Sequence, residues 1–377
     1  MLLNVRPGTL PAEARAALAE TWDVLSDLRR GVVRDLLPTR PDDPQPTLAP
    51  AGLTCLLGFG ARLFDEHAHA PALVRRELRP WELSALRPSG PGAPFPKLPW
   101  APEGERRPGE ADICLQFVAE REIAINRAAV ELWKLTADRR LPLEVVAFHR
   151  GFQRDDGRSW IDFHDGVNNL RAEERREAIQ VTSADPAWLT GGTFLASLRI
   201  RIDLPAWRAL PREHQELVVG REKLTGCPLR SSTDGAPRPL EPCPLPDPAT
   251  EEQLAAYTNP GRDGGRVVEA SHIHRANLNR GAPDTDANNR IFRQGFEFLD
   301  VLDAGRVELG LHFVSFQRSL GRVRAILQLQ GWMGDSNFGG TEPPRAGEPA
   351  IDLMKLVAGG FYAVPPRGEP FPGAELI

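Results

Sequence analysis

Cysteine, methionine and tyrosine are scarce in this chain of 377 residues, which contains four, three and two of them. The cysteines lie far apart and form no CxxC pair, so neither a zinc cluster nor a disulfide framework is predicted. No apolar run approaches the ~18 residues that span a bilayer. The N-terminus has neither a long apolar segment nor twin arginines. We therefore expect a cytoplasmic protein with no membrane partner.

The chain also lacks a strong excess of either charge. Its 46 basic and 51 acidic residues are interspersed and give a net charge of −5, so nucleic acid is not an expected partner. Apolar residues make up 41% and charged residues 26%, which excludes fibrous and wholly disordered proteins. The length predicts two domains or one enlarged α+β domain.

Proline and glycine, by contrast, are abundant, with 36 and 34 residues. Prolines concentrate at Leu37–Pro50 and Arg87–Pro102, which we interpret as linkers. Ahead of the first linker, apolar residues recur at helical spacing and predict an amphipathic helix over Pro11–Arg34. Residues 1–50 are thus expected to be an N-terminal helix followed by a linker.

Strand-like and helix-like segments alternate in a similar order in both halves. The first half has predicted strands at Leu53–Phe59 and Asp112–Val118, a helix at Glu120–Ala137 and a strand at Leu143–Phe148. The second has a strand at Thr193–Ile202, a helix at Pro205–Gly220 and strands at His312–Phe316 and Val323–Leu329. This order predicts two tandem ferredoxin-like α+β units with antiparallel sheets, with two unrelated α+β domains as the alternative.

The densest polar cluster is Arg150–Arg171, RGFQRDDGRSWIDFHDGVNNLR. Carboxylates beside glycines are typical of a solvated loop that caps a helix. The alternative is a loop that presents one carboxylate to a buried site, where Phe163 and Trp160 exclude water, raise its pKa and suit it to proton transfer. Asp165, followed by Gly166, is the natural candidate for that carboxylate.

A second cluster, Glu269–Arg293, combines two histidines with four arginines. If the segment is extended, alternation places His272 and His274 on one face, whereas a haem iron needs one protein imidazole on its proximal side. A histidine in such a pattern is more often a hydrogen-bonded structural residue. The arginines favour the ligand interpretation, because haem carries two propionates and peroxide chemistry develops negative charge on oxygen.

Five segments in consistent order resemble motifs of the dye-decolourising peroxidase family. In chain order they are Asp162–Leu170 for GxxDG followed by xxNP, Gln215–Leu229 for QExxIGRxKxTGxPL, His272–Arg280 for HIRRxNPR, Ile291–Gly295 for ILRRG and Gly310–Gln317 for GLLFVxFQ. Each pattern is weak alone, and the five together are specific.

The resemblance implies a tandem ferredoxin-like α+β fold of the dimeric α+β barrel type. It implies a first domain over residues 51–170, ending in the distal loop, and a second over residues 171–377 that binds haem b. By position, His272 is the proximal iron ligand, Asp165 the distal acid–base residue and Arg293 the distal arginine, while Arg275 approaches a propionate. The further candidates for cofactor binding are Asp162, Phe163, Gly166, Leu311 and Phe313.

The strand that carries Leu311 and Phe313 supports part of this assignment. Its period of two turns both residues toward one side and His312 toward the other, so His312 is a poor catalytic candidate. The implied reaction uses hydrogen peroxide to oxidise a small organic reductant, such as a dye or a phenol, at the haem edge or through surface aromatics. With eight tryptophans and two tyrosines, tryptophan would carry most of any relay. A homo-oligomer is left open.

Asp162 departs from the family pattern, since it stands where GxxDG has its first glycine. A glycine there allows a positive φ, which aspartate tolerates better than most residues. The substitution also adds a second carboxylate three residues before Asp165. If both face one pocket, repulsion should raise at least one pKa.

Two prolines and one arginine of the family pattern are also replaced. Leu170 and Leu278 stand at the prolines, and Asn279 stands at the last arginine of HIRRxNPR, with Arg280 following. Three alternatives to a peroxidase therefore stay open. They are a specialised haem oxidase or oxygenase acting on one small molecule in a biosynthetic pathway, a haem-binding protein with little turnover, and a haem-free structural relative.

Overall fold

The structure, a computed structural model, describes residues 1–37, 39–44, 48–85, 100–137, 141–167, 169–183, 186–231, 237–239, 271–276, 290–302, 305–327 and 353–377. The first half contains β1 (Leu2–Val5), α1 (Pro11–Arg29), β2 (Thr54–Gly60), α2 (Trp81–Ala85), β3 (Ile113–Val118), α3 (Glu122–Ala137) and β4 (Leu143–Ala147). The second half contains α4 (Ala172–Ile179), β5 (Thr193–Ile202), α5 (Leu204–Ala209), α6 (Arg212–Val219), β6 (Leu229–Ser231), β7 (Pro237–Pro239), α7 (His272–Ala276), β8 (Phe292–Val301), β9 (Val307–Gln317), α8 (Leu320–Leu327) and β10 (Met354–Val364).

Eight of these strands form one antiparallel sheet in the order β4-β1-β3-β2-β10-β5-β9-β8. Each half is a ferredoxin-like unit, in which the fourth strand lies beside the first, the first beside the third and the third beside the second. The units join where β2 pairs with β10, with Tyr362 opposite Gly60. A bridge between Phe152 and Glu297 connects the segment after β4 to β8, so the two outer edges of the sheet meet. The predicted tandem ferredoxin-like fold is confirmed.

Helix α1 shows why the N-terminal unit packs tightly. Pro11 occupies its first turn, where the missing N–H costs no hydrogen bond. Its buried residues include Ala14, Leu18, Leu25 and Leu28, whose spacing places them on one face. That face joins the main hydrophobic core, which also takes buried residues from α3 and the sheet. The helix ends at Arg29, five residues before the predicted end.

The sequence suggested that the first 50 residues form a segment apart from the first unit, but the structure joins them to it. Strand β1 pairs with both β3 and β4, and α1 covers the same sheet, so both belong to the first ferredoxin-like unit. The short run Leu2–Val5 gave no clear periodicity, and the prediction also omitted β8 and β10. Of the predicted linkers, residues 38, 45–47 and 87–99 lie outside the described part of the chain.

Two predicted elements of the second unit were wrong. The segment Val323–Leu329, predicted as a strand, lies in α8 as far as it is described, where Leu320, Val323, Ile326 and Leu327 are buried at helical spacing. Its branched apolar residues imitated a strand over a short window. The helix predicted over Pro205–Gly220 is two helices, α5 and α6, separated at Pro211, whose ring cannot continue the preceding helix.

The described cysteines differ in their bonding. Cys55 and Cys114 are free, and burial raises their pKa values to about 12 and about 11. Cys227 is bonded in a disulfide, which corrects the expectation from cysteine spacing. Across the described ranges, no helix combines the length and apolar character needed to traverse a bilayer.

Candidate functional site

A cavity with a volume of about 230 Å³ lies in the second unit, between the sheet and its helices. Strands β5, β8 and β9 form one wall. The described residues of the loop, 159–167 and 169–170, which we call the site loop, form another. Helices α7 and α8 complete the lining. The apolar residues of the lining include Leu198, Ile200, Ile202, Val219, Ile273, Leu311, Phe313, Ile326, Leu327 and Met354.

The cavity brings together most of the site residues predicted from the sequence. Those that line it are Phe163, Asp165, Gly166, His272, Arg293, Leu311 and Phe313. Asp162 does not line it. For Arg275 the structure describes the helical backbone only, and its side chain lies outside the described part of the chain.

Strand alternation aims three residues of β8 into the cavity, namely Arg293, Gly295 and Glu297. Leu311 and Phe313 of β9 face the same way, as predicted. His312 lies on the other face of the sheet, where its Nε2 is 2.9 Å from the Ser197 hydroxyl. Burial lowers the pKa of His312 to about 3.

The carboxylate of Asp165 accepts a hydrogen bond from its own loop and occupies space left by a glycine of β8. The Gly166 backbone N–H donates to Asp165 Oδ1 at 2.7 Å, and the Asp165 N–H donates to the Gly157 carbonyl at 2.9 Å. Oδ2 lies against Gly295, where a Cβ atom would come within 2.4 Å of it. Residue 295 must therefore lack a side chain for this carboxylate to occupy its position.

Arg293 is fixed to the site loop at both its backbone and its side chain. Its N–H donates to Asn169 Oδ1 at 3.1 Å, and Asn169 Nδ2 donates back to its carbonyl at 2.7 Å. Its Nη2 donates to the Val167 carbonyl at 3.1 Å. Burial lowers the pKa of the guanidinium and the charge of Asp165 raises it. A guanidinium does not lose its proton in proteins, so this site retains a positive charge.

Glu297 is a cavity residue that the sequence analysis did not select. Its side chain is buried, with the residue 4% exposed. Its backbone exchanges hydrogen bonds of 2.8 and 2.7 Å with Phe152. Burial, reinforced by the charge of Asp165, raises its pKa to about 8, against the hydrogen bond from the Trp160 backbone. A correct prediction of β8 would have found it, because alternate residues of a strand face the same side and Glu297 is four residues after Arg293.

His272 is the first residue of α7, so the segment is helical and not extended as the alternation argument assumed. Residues two apart on a helix do not share a face, which removes the reason to pair His272 with His274. Helix α6 ends at Gly220 with a φ of +88°, and a Cβ there would lie 2.5 Å from Ser271 Oγ and 2.8 Å from Ile273 Cγ1. This glycine lets the histidine helix pack closely against α6.

Asp162 adopts a φ of +66°, the conformation considered for the glycine of the motif. Its side chain is 60% exposed and lies 3.5 Å from Lys223 Nζ and 4.0 Å from Arg154 Nη1. These residues line a separate outer pocket with Trp160. Because Asp162 and Asp165 point into different pockets, the condition for their mutual repulsion is not met.

The donor set of the cavity fits an apolar group that carries its own metal and anionic edges. Two imidazoles line it, those of His164 on the site loop and His272 on α7, and the cations Arg221, Arg290 and Arg293 also line the space. His164 Nε2 lies 2.9 Å from Arg158 Nη2, whereas His272 faces mainly apolar walls. In the described ranges, no group of three or more histidine, cysteine or acidic side chains is placed to hold a metal ion. An iron bound at His272 would need its other ligands from the group itself, as in haem.

Comparison with known proteins adds a family relationship. Residues 156–369 match the family model described as Dyp-type peroxidase, C-terminal. The chain is 24% identical to a Deferrochelatase of Shigella flexneri serotype 5b over 333 residues and to one of Escherichia coli K12 over 337 residues. Each match covers 84% of this chain and 66% of the relative. The chain thus spans slightly less than two thirds of these curated relatives.

Solved structures share the fold. Ferric DtpA from Streptomyces lividans superposes with a TM-score of 0.70 at 23% identity, covering 100% of this chain and 90% of that one. A DyP-type peroxidase from Cellulomonas bogoriensis gives 0.66 at 23% identity, covering 100% and 91%. A DypB variant of Rhodococcus jostii in complex with heme gives 0.58 at 21% identity, covering 97% and 91%. At these sequence identities, the likeness shows a shared fold alone.

Proposed function

The chain belongs to the Dyp-type peroxidase family, and from this premise we propose that it is a haem b peroxidase that uses hydrogen peroxide to oxidise small organic reductants such as dyes or phenols. One observation carries the proposal: His272, Asp165 and Arg293 line the same largely apolar cavity. An imidazole can ligate iron, a carboxylate can move a proton, and a guanidinium can stabilise negative charge on oxygen.

In this proposal His272, on α7, would hold the iron. Leu198, Leu311 and Phe313 would contact the apolar macrocycle, and the cationic lining would offer partners for its carboxylates. Haem, when bound, supplies the redox-active iron at which peroxide is reduced. The protein contributes position, charge and proton transfer around that centre.

Asp165 moves the proton between the two oxygens of hydrogen peroxide. Its Oδ1 accepts the Gly166 N–H, while Oδ2 has no hydrogen-bond partner in the described ranges. Oδ2 is therefore the atom that accepts a proton from one peroxide oxygen and returns it to the other. The contact with Gly295 fixes the direction in which this oxygen points.

Arg293 stabilises the negative charge that grows on the departing oxygen. It keeps its proton, so it acts as a fixed charge and leaves proton transfer to Asp165. The hydrogen bond from Nη2 to the Val167 carbonyl holds this guanidinium before peroxide arrives, and the bonds with Asn169 fix the backbone that carries it. Loss of one such donor costs on the order of 10²-fold in rate in other enzymes that stabilise an oxyanion.

A second candidate function is the release of iron from haem, since the curated relatives carry the name Deferrochelatase. Removing iron from a porphyrin requires two protons to replace it on the ring nitrogens. Glu297 favours this candidate, because a buried carboxyl group with a pKa of about 8 carries a proton at neutral pH. Metal-free porphyrin, which fluoresces, would identify this reaction.

The test reconstitutes the purified protein with haem, adds peroxide and a dye, and follows dye oxidation and porphyrin fluorescence together. We expect dye oxidation, and we expect Asp165→Asn and Arg293→Leu to bind haem but to consume peroxide about 10²-fold more slowly. Asp162→Asn is the matched control, since its carboxylate lies outside the cavity. Unchanged peroxide consumption in Asp165→Asn would remove the acid–base assignment. Porphyrin fluorescence without dye oxidation would favour the second candidate.

A further inference from the structure

We propose that Glu297 is a second proton-holding group of the cavity, which carries its proton on Oε2 at neutral pH and passes it to Asp165. Protonation of Glu297 is a property of the protein alone, whereas its use during turnover rests on the proposed peroxidase function. In the transfer, the O–H bond of Glu297 breaks and an O–H bond forms on Asp165 Oδ2. The negative charge moves from Asp165 to Glu297.

The proposed reaction needs such a group because its proton balance cannot be closed by Asp165 alone. Reduction of one hydrogen peroxide to two waters takes up two electrons and two protons. Asp165 can shuttle the proton that peroxide already carries, which leaves two to be supplied from the reductant or from solvent. A reductant that gives only electrons leaves both to the protein.

The position of Glu297 follows from the register of β8. Arg293, Gly295 and Glu297 alternate onto the cavity face, and Asp165 Oδ2 lies against Gly295 in the middle of this row. Residues two apart on one face are separated by about 7 Å along a strand. A glutamate side chain spans much of that separation, and one water can bridge the remainder. Glu297 is thus the carboxyl group next to Asp165 on the wall of the cavity.

Burial, with no cation beside it in the described ranges, favours the neutral form of Glu297. Among those residues, its buried Oε2 has no hydrogen-bond partner and no cation lies within ion-pair distance of the carboxyl group. Asp165 faces it from the site loop and disfavours a second negative charge. Arg154 acts in the opposite direction, but its guanidinium already binds Asp156. His164 of the same loop is engaged by Arg158 at 2.9 Å.

Two other buried glutamates of this chain, unlike Glu297, form ion pairs. Glu308, 3% exposed, lies 2.9 Å from Arg107 and 3.9 Å from Arg201. Glu131, 7% exposed, lies 3.0 Å from Lys134. A buried carboxylate is stable when cations compensate it, and its neutral form is favoured when they do not. We therefore expect Glu297 to be neutral, whereas Glu308 and Glu131 are ionised.

Glu297 also neighbours Trp160, a residue of the outer pocket. The backbone N–H of Trp160 donates to its carboxyl group, and Trp160 lines the outer pocket. The indole N–H donates to the Phe298 carbonyl at 3.0 Å, which fixes Trp160 over β8. Trp160 thus contacts Glu297 through its backbone and the outer pocket through its side of the site loop.

The first experiment uses haem-free protein and infrared spectroscopy. Wild type should show a protonated-carboxyl C=O band that disappears as pH rises, with a midpoint near the pKa of about 8. Glu297→Gln should lack the band, and Glu308→Gln, which removes an ion-paired buried glutamate, should keep it. Glu297→Asp gives a second variant, whose band should shift in position. A band that persists in Glu297→Gln, or that is absent from wild type below pH 8, overturns the proposal.

The second experiment tests proton supply in haem-loaded protein with a reductant that donates electrons only. We expect the oxidation rate of wild type to fall as pH rises through about 8, as Glu297 loses its proton. Glu297→Gln should be about tenfold slower below that pH and should lose this pH dependence. An unchanged rate and pH profile in Glu297→Gln would contradict proton supply. Absence of peroxide-driven oxidation in wild type would contradict the proposed function and leave the infrared result standing.

Discussion

The two halves of this protein share one strand order but fill the space beside the sheet differently. In the N-terminal half, α1 with 19 residues and α3 with 16 residues pack on the sheet and contribute Leu18, Leu25 and Leu132 to the core. The helices that the structure describes at the corresponding places of the C-terminal half are α5, α6 and α8, with six, eight and eight described residues. The cavity lies beside these shorter described helices.

The difference indicates how one topology serves both stability and binding. Long amphipathic helices bury a continuous apolar stripe and need no ligand to complete the core. In the described part of the C-terminal half, interrupted helices leave Leu198 and Ile200 of the sheet facing the cavity. A ligand that fills this space would stabilise the C-terminal half, because binding to the folded state shifts the folding equilibrium.

Paired histidine substitutions give the largest expected contrast between the halves. His272→Ala should abolish haem binding while the protein stays folded, because His272 faces the cavity. His69→Ala should keep haem binding and lower the free energy of unfolding by about 1–3 kcal/mol, since His69 is buried against Asp112 at 3.0 Å. Optical titration with haem and urea unfolding measure the two effects. Wild-type haem affinity in His272→Ala would refute the ligand assignment.

Leucine truncation compares the packing of the two halves in haem-free protein. Leu132→Ala should cost about 2–5 kcal/mol in the free energy of unfolding, as for other buried leucines. Leu198→Ala should cost less, because Leu198 already borders the cavity and has fewer contacts to lose. Equal losses in urea unfolding would show that the cavity is closed in solution.

Glycines on equivalent second strands test the role of close contacts. Gly295→Ala should displace the Asp165 carboxylate, from which its Cβ would lie 2.4 Å, and slow peroxide consumption about tenfold or more. Gly58→Ala in β2 meets Tyr362 Cβ at 3.0 Å instead, and should lower stability by about 1–3 kcal/mol without changing peroxide consumption. Stopped-flow mixing with peroxide gives the rates. A fast reaction in Gly295→Ala would mean that the carboxylate is not constrained there.

The smallest expected effect lies at the contact between the halves. Burial lowers the pKa values of His149 and His312 to about 4 and about 3. Below about pH 6.5 the unfolded chain binds protons that the folded protein does not, so stability falls as pH falls. His312→Gln should reduce this loss by about 1 kcal/mol per pH unit, measured by urea unfolding between about pH 6 and pH 5. An identical pH dependence in wild type and variant would show that His312 does not contribute.

Local periodicity predicted most of the regular elements and failed where it was short or ambiguous. Thr193–Ile202 is a strand with the bounds predicted, because ten residues of consistent pattern leave little choice. The run around Val323 has the same composition as a strand but belongs to a helix. A window this short cannot separate the two periods without the neighbours that bury one face.

The site residues were likewise predicted only in part from the sequence. Sequence motifs selected His272, Asp165 and Arg293 individually, and the structure brings them to one cavity. They could not reveal that Asp162 turns outward, which depends on Arg154 and Lys223 lying beside the loop.

By itself, the sequence determined the family, the tandem α+β order and the residues capable of ligation, proton transfer and charge stabilisation, because residue identity and local spacing are properties of the chain. Only the tertiary structure decided that Gly295 makes room for Asp165 and that Glu297 is buried with no cation beside it among the described residues. Both facts depend on distances and loss of water between segments more than 100 residues apart in the chain, and those distances arise when the strands pair and the helices pack.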